Sequence, residues 1–193
     1  NQEIIEQEKN LGLQKLGLMV SSAWHQDPKR LAFTFARYKF VSKMLDGQQD
    51  VAEIGCGDGF ASRLLLQNIS SLVAIDIDKL FIDDAKRRQS KSWPIDFRIH
   101  DILDEGPILE EFDGVVSLDV MEHILEDELV FRNYYASIKP GGMVLISTPS
   151  DQGGSDVHED HDSSFIEEHV RDGYNIKDIE TKEPVNDNTL FSM

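Results

Sequence analysis

The sequence predicts an α/β fold organised around a doubly wound, mostly parallel sheet, and three observations carry that prediction. Short apolar runs alternate with helical patterns from Val51 to Pro149, the arrangement of a parallel sheet covered on both faces. The first run leads through three glycines, Gly55, Gly57 and Gly59, straight into a helical segment. The strands that follow close on acids, Asp76, Asp101 and Asp119, at the end of the sheet where such folds bind ligands.

A helical lead-in precedes this core. Ile4, Ile5, Leu11, Leu13, Leu16, Leu18 and Met19 predict a helix broken near Gly12 or Gly17. A firmer helix is expected from Asp27, a good N-cap, with Pro28 at the first helical position, where its missing N–H costs nothing. Leu31, Phe35, Tyr38, Val41, Met44 and Leu45 then recur at roughly helical spacing, and Asp46-Gly47 ends the run.

The core reads element by element. "DVAEIG" is a strand, "GFASRLLLQNI" a helix, "SLVAIDI" a strand, "KLFIDDAKRRQS" a helix, and "DFRIHDI" and "FDGVVSLDV" are strands. "EDELVFRNYYASI" is a helix, "KPGG" a turn and "MVLISTP" a strand. Past Pro149 the composition turns polar. "SDQGGSDVHEDHD" reads as a loop and "SSFIEEHVRDG" as a short helix capped by serine, and "IKDIETKEPV" and "NTLFSM" read as two last, antiparallel strands. With no internal repeat and no separating linker, one domain is expected over 1–193: lead-in 1–47, core 48–150, and loop, helix and terminal strands over 151–193.

Composition narrows the class of partner. Apolar residues make up 40% of the chain and charged ones 28%, the balance of a globular domain. No run approaches the 18 apolar residues of a membrane span. The first residues carry acids and amides where a signal peptide needs a basic region and an apolar run. The net charge of −17 repels phosphate backbones, and no basic stripe offsets it, so no nucleic-acid partner is expected. Lys86, Arg87 and Arg88 follow Asp83 and Asp84 at helical spacing, as pairs on a solvated face do. The single cysteine, Cys56, excludes an internal disulfide and suits a reducing compartment, so a cytoplasmic location is expected.

The glycine turn indicates the ligand. Its spacing is G-x-G-x-G, and the third glycine of a dinucleotide fingerprint would fall at Phe60. Glu53 stands just before it, where a carboxylate repels a pyrophosphate and favours a cation. Asp76 lies about 20 residues past the turn, where a carboxylate accepts both hydroxyls of a ribose. Asp101, one strand on, suits the exocyclic amine of an adenine. An adenosine with a positive centre and no phosphates is S-adenosylmethionine.

"VAEIGCGDG", "VAIDID", "HDIL", "FDGVVSLDVMEHI" and "IKPGGMVLISTP" resemble, in order and separation, the successive motifs of class I S-adenosylmethionine-dependent methyltransferases over residues 50–150. The polar tail is similar to that of some small-molecule enzymes of the superfamily. The resemblance implies a Rossmann-like sheet of seven strands, the last short or antiparallel, with a lead-in that covers the cofactor. It places the backbone of Gly55, Cys56 and Gly57 against the methionyl part, and Gly59 at the tight entry to the next helix. Asp76 falls on the ribose, Ile77 on the adenine, Asp101 and Ile102 at the adenine edge, and Asp119 near the sulfonium. Glu53 supports the loop, and Arg37 pairs with the cofactor carboxylate. Cys56 is a small residue between glycines, because this family transfers methyl directly.

The implied reaction is an in-line displacement yielding S-adenosylhomocysteine, in which the protein chiefly aligns acceptor and methyl group. The acceptor class favoured is a small molecule, such as a hydroxylated metabolite, a sugar or a quinone-like ring, with methylation at oxygen. His123 is the candidate base. Asp119, Glu122 and His123 with His158 or His161 also resemble the metal site of small-RNA 2′-O-methyltransferases, but the first acid there is not aspartate, and a metal-free site is expected. The alternatives are a protein or RNA methyltransferase and a non-catalytic cofactor-binding module.

Overall fold

The computed structural model describes residues 1–104 and 110–148. The lead-in folds as three helices: α1 (Gln2–Leu11), α2 (Leu18–Gln26) and α3 (Lys29–Met44). Gly12 ends α1 at a φ of 69° and Gly17 opens α2, so the break expected near one glycine or the other spans both. α3 starts one residue later than expected, because Pro28 is still outside it. Asp27 caps from that distance, its Oδ1 accepting the Lys29 N–H at 3.1 Å.

The core contains β1 (Asp50–Ile54), β2 (Ser71–Asp76), α4 (Lys79–Arg88), β3 (Asp96–Ile99), β4 (Phe112–Leu118), α5 (Asp127–Ala136) and β5 (Ile138–Ser147). The strands form one sheet in the order β3-β2-β1-β4-β5, with every pairing parallel. The order reverses between β1 and β4, which makes the carboxyl ends of these strands the ligand crevice. The two further strands and the helix expected in the tail lie outside the described residues.

Strand alternation splits the core into two layers. Val51 and Val116 face a cluster with Tyr38, Val41, Leu45, Leu65 and Ile82, which seats α3 and α4. Ala52, Ile54 and Val115 face the opposite cluster, with Val130 and Tyr134 of α5. A fully buried valine or leucine there contributes about 1.5–3 kcal/mol. At the amino ends of the strands, Lys139 Nζ bridges Asp50 Oδ2 at 3.1 Å and Asp113 Oδ1 at 2.9 Å.

Two expected elements take a different form. "GFASRLLLQNI" gives a 3-10 helix, Ser62–Gln67, rather than an α-helix. The Ser42 hydroxyl of α3 donates to the Leu64 carbonyl at 2.9 Å. That carbonyl would be the α-helical acceptor of the Asn68 N–H, which bonds to Leu65 O instead. "KPGG" does not precede a strand but bulges inside β5: Phe112 pairs with Ile138, and Gly114 already with Met143. A side chain at Gly142 would press on the carbonyls of Asp113 and Lys139.

Candidate cofactor crevice

The turn after β1 is built on the left-handed backbone of its three glycines, with φ of 72° at Gly55, 54° at Gly57 and 64° at Gly59. Only glycine adopts this region freely. Each also lies where a Cβ would collide: with Val120 at Gly55, with the Met19 sulfur at Gly57 and with the Phe97 ring at Gly59. The Gly55 and Cys56 N–H groups share the Ile75 carbonyl, both at 2.9 Å, which pins the turn to β2.

Asp76, the last residue of β2, faces this turn. Its Oδ2 accepts the Gly57 N–H and its Oδ1 the Asp78 N–H, each at 2.8 Å. Each oxygen keeps a further lone pair, so the carboxylate is oriented by backbone yet open to two more donors. Ile77 beside it is 66% exposed. Asp101 is half-buried and accepts the Leu103 N–H at 2.9 Å. Ile102 is brought near by sequence only, because its side chain packs in the core with Val130 and Tyr134.

Glu53 is 1% exposed and accepts a 2.5 Å hydrogen bond from the Tyr38 hydroxyl of α3. Burial pushes its carboxyl up to about 7, against the opposing pull of the Ser62 and Tyr38 hydroxyls, and the Asp76 charge adds to the rise. Its Oε2 and the Ser62 Oγ are nevertheless buried without a hydrogen-bond partner. The proximity of Ser62 therefore favours the ionised form without closing a bond. Burial also drives the Cys56 thiol far up, reinforced by Glu53 and Asp76. A thiol so held is no nucleophile at neutral pH.

At the far end, Asp119 follows β4 with a left-handed φ of 56°. Its N–H donates to Ser147 O at 2.9 Å, and the Ser147 hydroxyl donates to its Oδ1 at 3.2 Å. Its Oδ2 forms an ion pair with Arg37 Nη2 of α3. Arg37 and Asp119 therefore meet across the crevice, and Arg37 Nε is buried without a partner. Glu122 is raised from the usual carboxylate range by burial, with Asp119 adding to it and His123 opposing, and its Oε2 has no partner. His123 is 76% exposed, with Nε2 4.0 Å from Glu122 Oε1. His158 and His161 lie outside the described residues, among which no group of three or more potential metal ligands is found.

Four positioning residues escaped sequence reasoning. Tyr38 seals Glu53. Asp58 takes the Val20 N–H of α2 on Oδ2 at 3.0 Å and the Phe60 N–H on Oδ1 at 3.1 Å, fastening the lead-in to the glycine turn. Met19 rests on Gly57. Asn133 of α5 donates to the carbonyls of Ile102 at 2.6 Å and Asp104 at 2.8 Å, holding the loop that carries Asp101. Of these, Asn133 is the one that could have been found from the residues alone, a polar side chain at helical spacing from Val130 on the face that Val130 and Tyr134 make apolar.

A family described as a methyltransferase domain matches residues 52–146. Phosphoethanolamine N-methyltransferase 1 of Triticum aestivum is 28% identical over 146 residues, 74% of this chain and 28% of that enzyme. Ubiquinone biosynthesis O-methyltransferase of Coxiella burnetii is 26% identical over 114 residues, 58% of this chain and 49% of that one. The chain thus spans half or less of the length of these relatives. Among solved structures, N-methyltransferase NodS from Bradyrhizobium japonicum superposes with a TM-score of 0.55 at 23% identity, covering 65% of this chain and 72% of NodS; it shares the fold. No described helix is long and apolar enough to cross a membrane. With its reversed five-strand order, its glycine turn facing a strand-end aspartate and the match over residues 52–146, the chain belongs to the class I S-adenosylmethionine-dependent methyltransferases.

Proposed function

We propose that this domain binds S-adenosylmethionine in the crevice and directs its methyl group to a small-molecule acceptor, at an oxygen. The observation that carries the reading is the Asp76 carboxylate, fixed by the Gly57 and Asp78 N–H groups with acceptor capacity left over. That is the chemistry two vicinal ribose hydroxyls require. Gly55, Cys56 and Gly57 offer backbone to the methionyl part, Ile77 an exposed apolar surface to the adenine, and Asp101 its edge, while the side chain of Ile102 stays in the core. Arg37 reaches the carboxylate end from α3 and Asp119 lies toward the reacting centre, while Glu53 and Gly59 shape the turn.

The bound cofactor supplies a methyl group already activated on a sulfonium. With the cofactor bound, His123 would take the proton of the acceptor hydroxyl as that oxygen receives the methyl group. Alignment and exclusion of water are the protein's main contribution. An amine acceptor is the second reading, favoured by the carboxylates of Asp119 and Glu122 at this mouth: Glu122 Oε2 lacks a partner and would receive the ammonium proton before attack.

Thermal melting with S-adenosylhomocysteine tests the cofactor. At about a hundred times its dissociation constant the product should add roughly 2.7 kcal/mol to stability, and Asp76→Ala should lose that gain while still unfolding cooperatively. No shift in the wild type rejects the cofactor assignment. A shift retained in Asp76→Ala rejects the ribose contact alone.

A further inference from the structure

A cavity of about 670 Å³ opens on the flank of the sheet between α3, the 3-10 helix and α4. None of Asp76, Asp101, Asp119, Glu122 or His123 lines it, so it is separate from the cofactor crevice. Its walls are aromatic, with Phe35, Phe60, Trp93 and Phe97, and its rim carries Lys39 and Arg63. Arg63 holds its guanidinium carbon over the Trp93 ring, 5.1 Å from the centroid, and neither Lys39 nor Arg63 has a carboxylate partner among the described residues. The lining includes three cations and a single carboxylate, Asp58, in a chain of net charge −17. Asp58 is 3% exposed, and both its oxygens already hold backbone N–H groups, so it adds little repulsion. The third cation, Arg88, is spent on Asp84 Oδ2 and Asp58 O.

We propose that this cavity is a binding site for a planar aromatic carboxylate, stacked among the phenylalanine and tryptophan rings with its anion between Lys39 and Arg63. The volume suits one small ligand. Aromatic walls and a guanidinium already seated over a ring face accept a planar molecule, and two cations without carboxylate partners supply charge-assisted bonds to one carboxylate. Asp58 and Gly59 form part of the wall, so an occupant touches the back of the glycine turn.

The test uses 2-naphthoate as probe and the fluorescence of Trp93 in a Trp24→Phe background, which leaves one tryptophan. Saturable quenching is expected, persisting with S-adenosylhomocysteine present, so the outcome does not depend on the cofactor assignment. Lys39 and Arg63 are both exposed, so Lys39→Ala/Arg63→Ala should fold normally and weaken binding about tenfold or more. The uncharged 2-acetylnaphthalene should bind as weakly to the parent as the carboxylate does to the double variant. No saturable quenching overturns the proposal. So does equal affinity for the charged and uncharged probes, or an affinity unchanged in the double variant.

Discussion

Around Asp76 the crevice is organised by backbone; around Asp119 it is organised by side chains. At the first end the carboxylates of Asp58, Asp76 and Asp101 all accept main-chain N–H groups, which fold with the chain and do not rotate away. At the second, Asp119 is held by Arg37 and Ser147, Arg37 Nε and Glu122 Oε2 have no partner, and His123 projects outward. The contrast separates an end whose acceptors are fixed by main chain from an end that keeps polar atoms without partners. Fixed dipoles serve the first, because they need no reorganisation.

The strongest way to break the comparison is at the turn itself. Gly59→Ala puts a Cβ against the Phe97 ring in a left-handed conformation, and a loss of about 2–4 kcal/mol is expected in urea unfolding. A loss under about 1 kcal/mol would show that the ring gives way and that the turn is less rigid than described.

Glu53→Gln should act in the other direction. With its carboxyl raised to about 7 in the folded chain, the native state holds a proton that the unfolded state releases near the ordinary value. Stability therefore falls as pH rises from about 4.5 to 7 and is flat beyond. The glutamine variant lacks that decline, so its advantage over wild type should grow through the same window to something of order 3 kcal/mol at pH 8. Parallel stability–pH curves would remove the raised carboxyl from the account. Tyr38→Phe removes the donor to Glu53 and should cost about 1–3 kcal/mol, more at pH 8 than at pH 5, since the lost bond favours the ionised acid.

Changes at the Asp119 end should be milder for the fold. The Arg37–Asp119 pair is half-exposed, so Arg37→Ala should shift stability by less than about 1 kcal/mol while weakening S-adenosylhomocysteine about tenfold. A stability loss with unaltered binding would make Arg37 a strut. His123→Ala should be smaller still, within about 0.5 kcal/mol, and any larger effect would belong to methyl transfer.

The same division explains what could be read from the residues in order. β1, the three glycines and Asp76 announce themselves because strand alternation, left-handed backbone and strand-end position are local properties. Arg37–Asp119, 82 residues apart, and Val20–Asp58, 38 apart, depend on how the lead-in folds back, which no local pattern encodes. The 3-10 form of Ser62–Gln67 is equally hidden, since a hydroxyl on another helix captures its carbonyl. The bulge in β5 was partly visible: the glycines signalled a special backbone, but not that the strand would continue through it.

Helix α1 has a consequence of a different kind. Its ten residues bury none of their side chains, and Ile4, Ile5 and Leu11 all face solvent. A helix shorter than about 12–15 residues is marginal in water without packing. Its amides should therefore exchange with deuterium almost as fast as those of a free peptide, while those of β1 and β4 wait for global opening. Trypsin cleavage after Lys9 should leave the melting temperature of the remainder where it was.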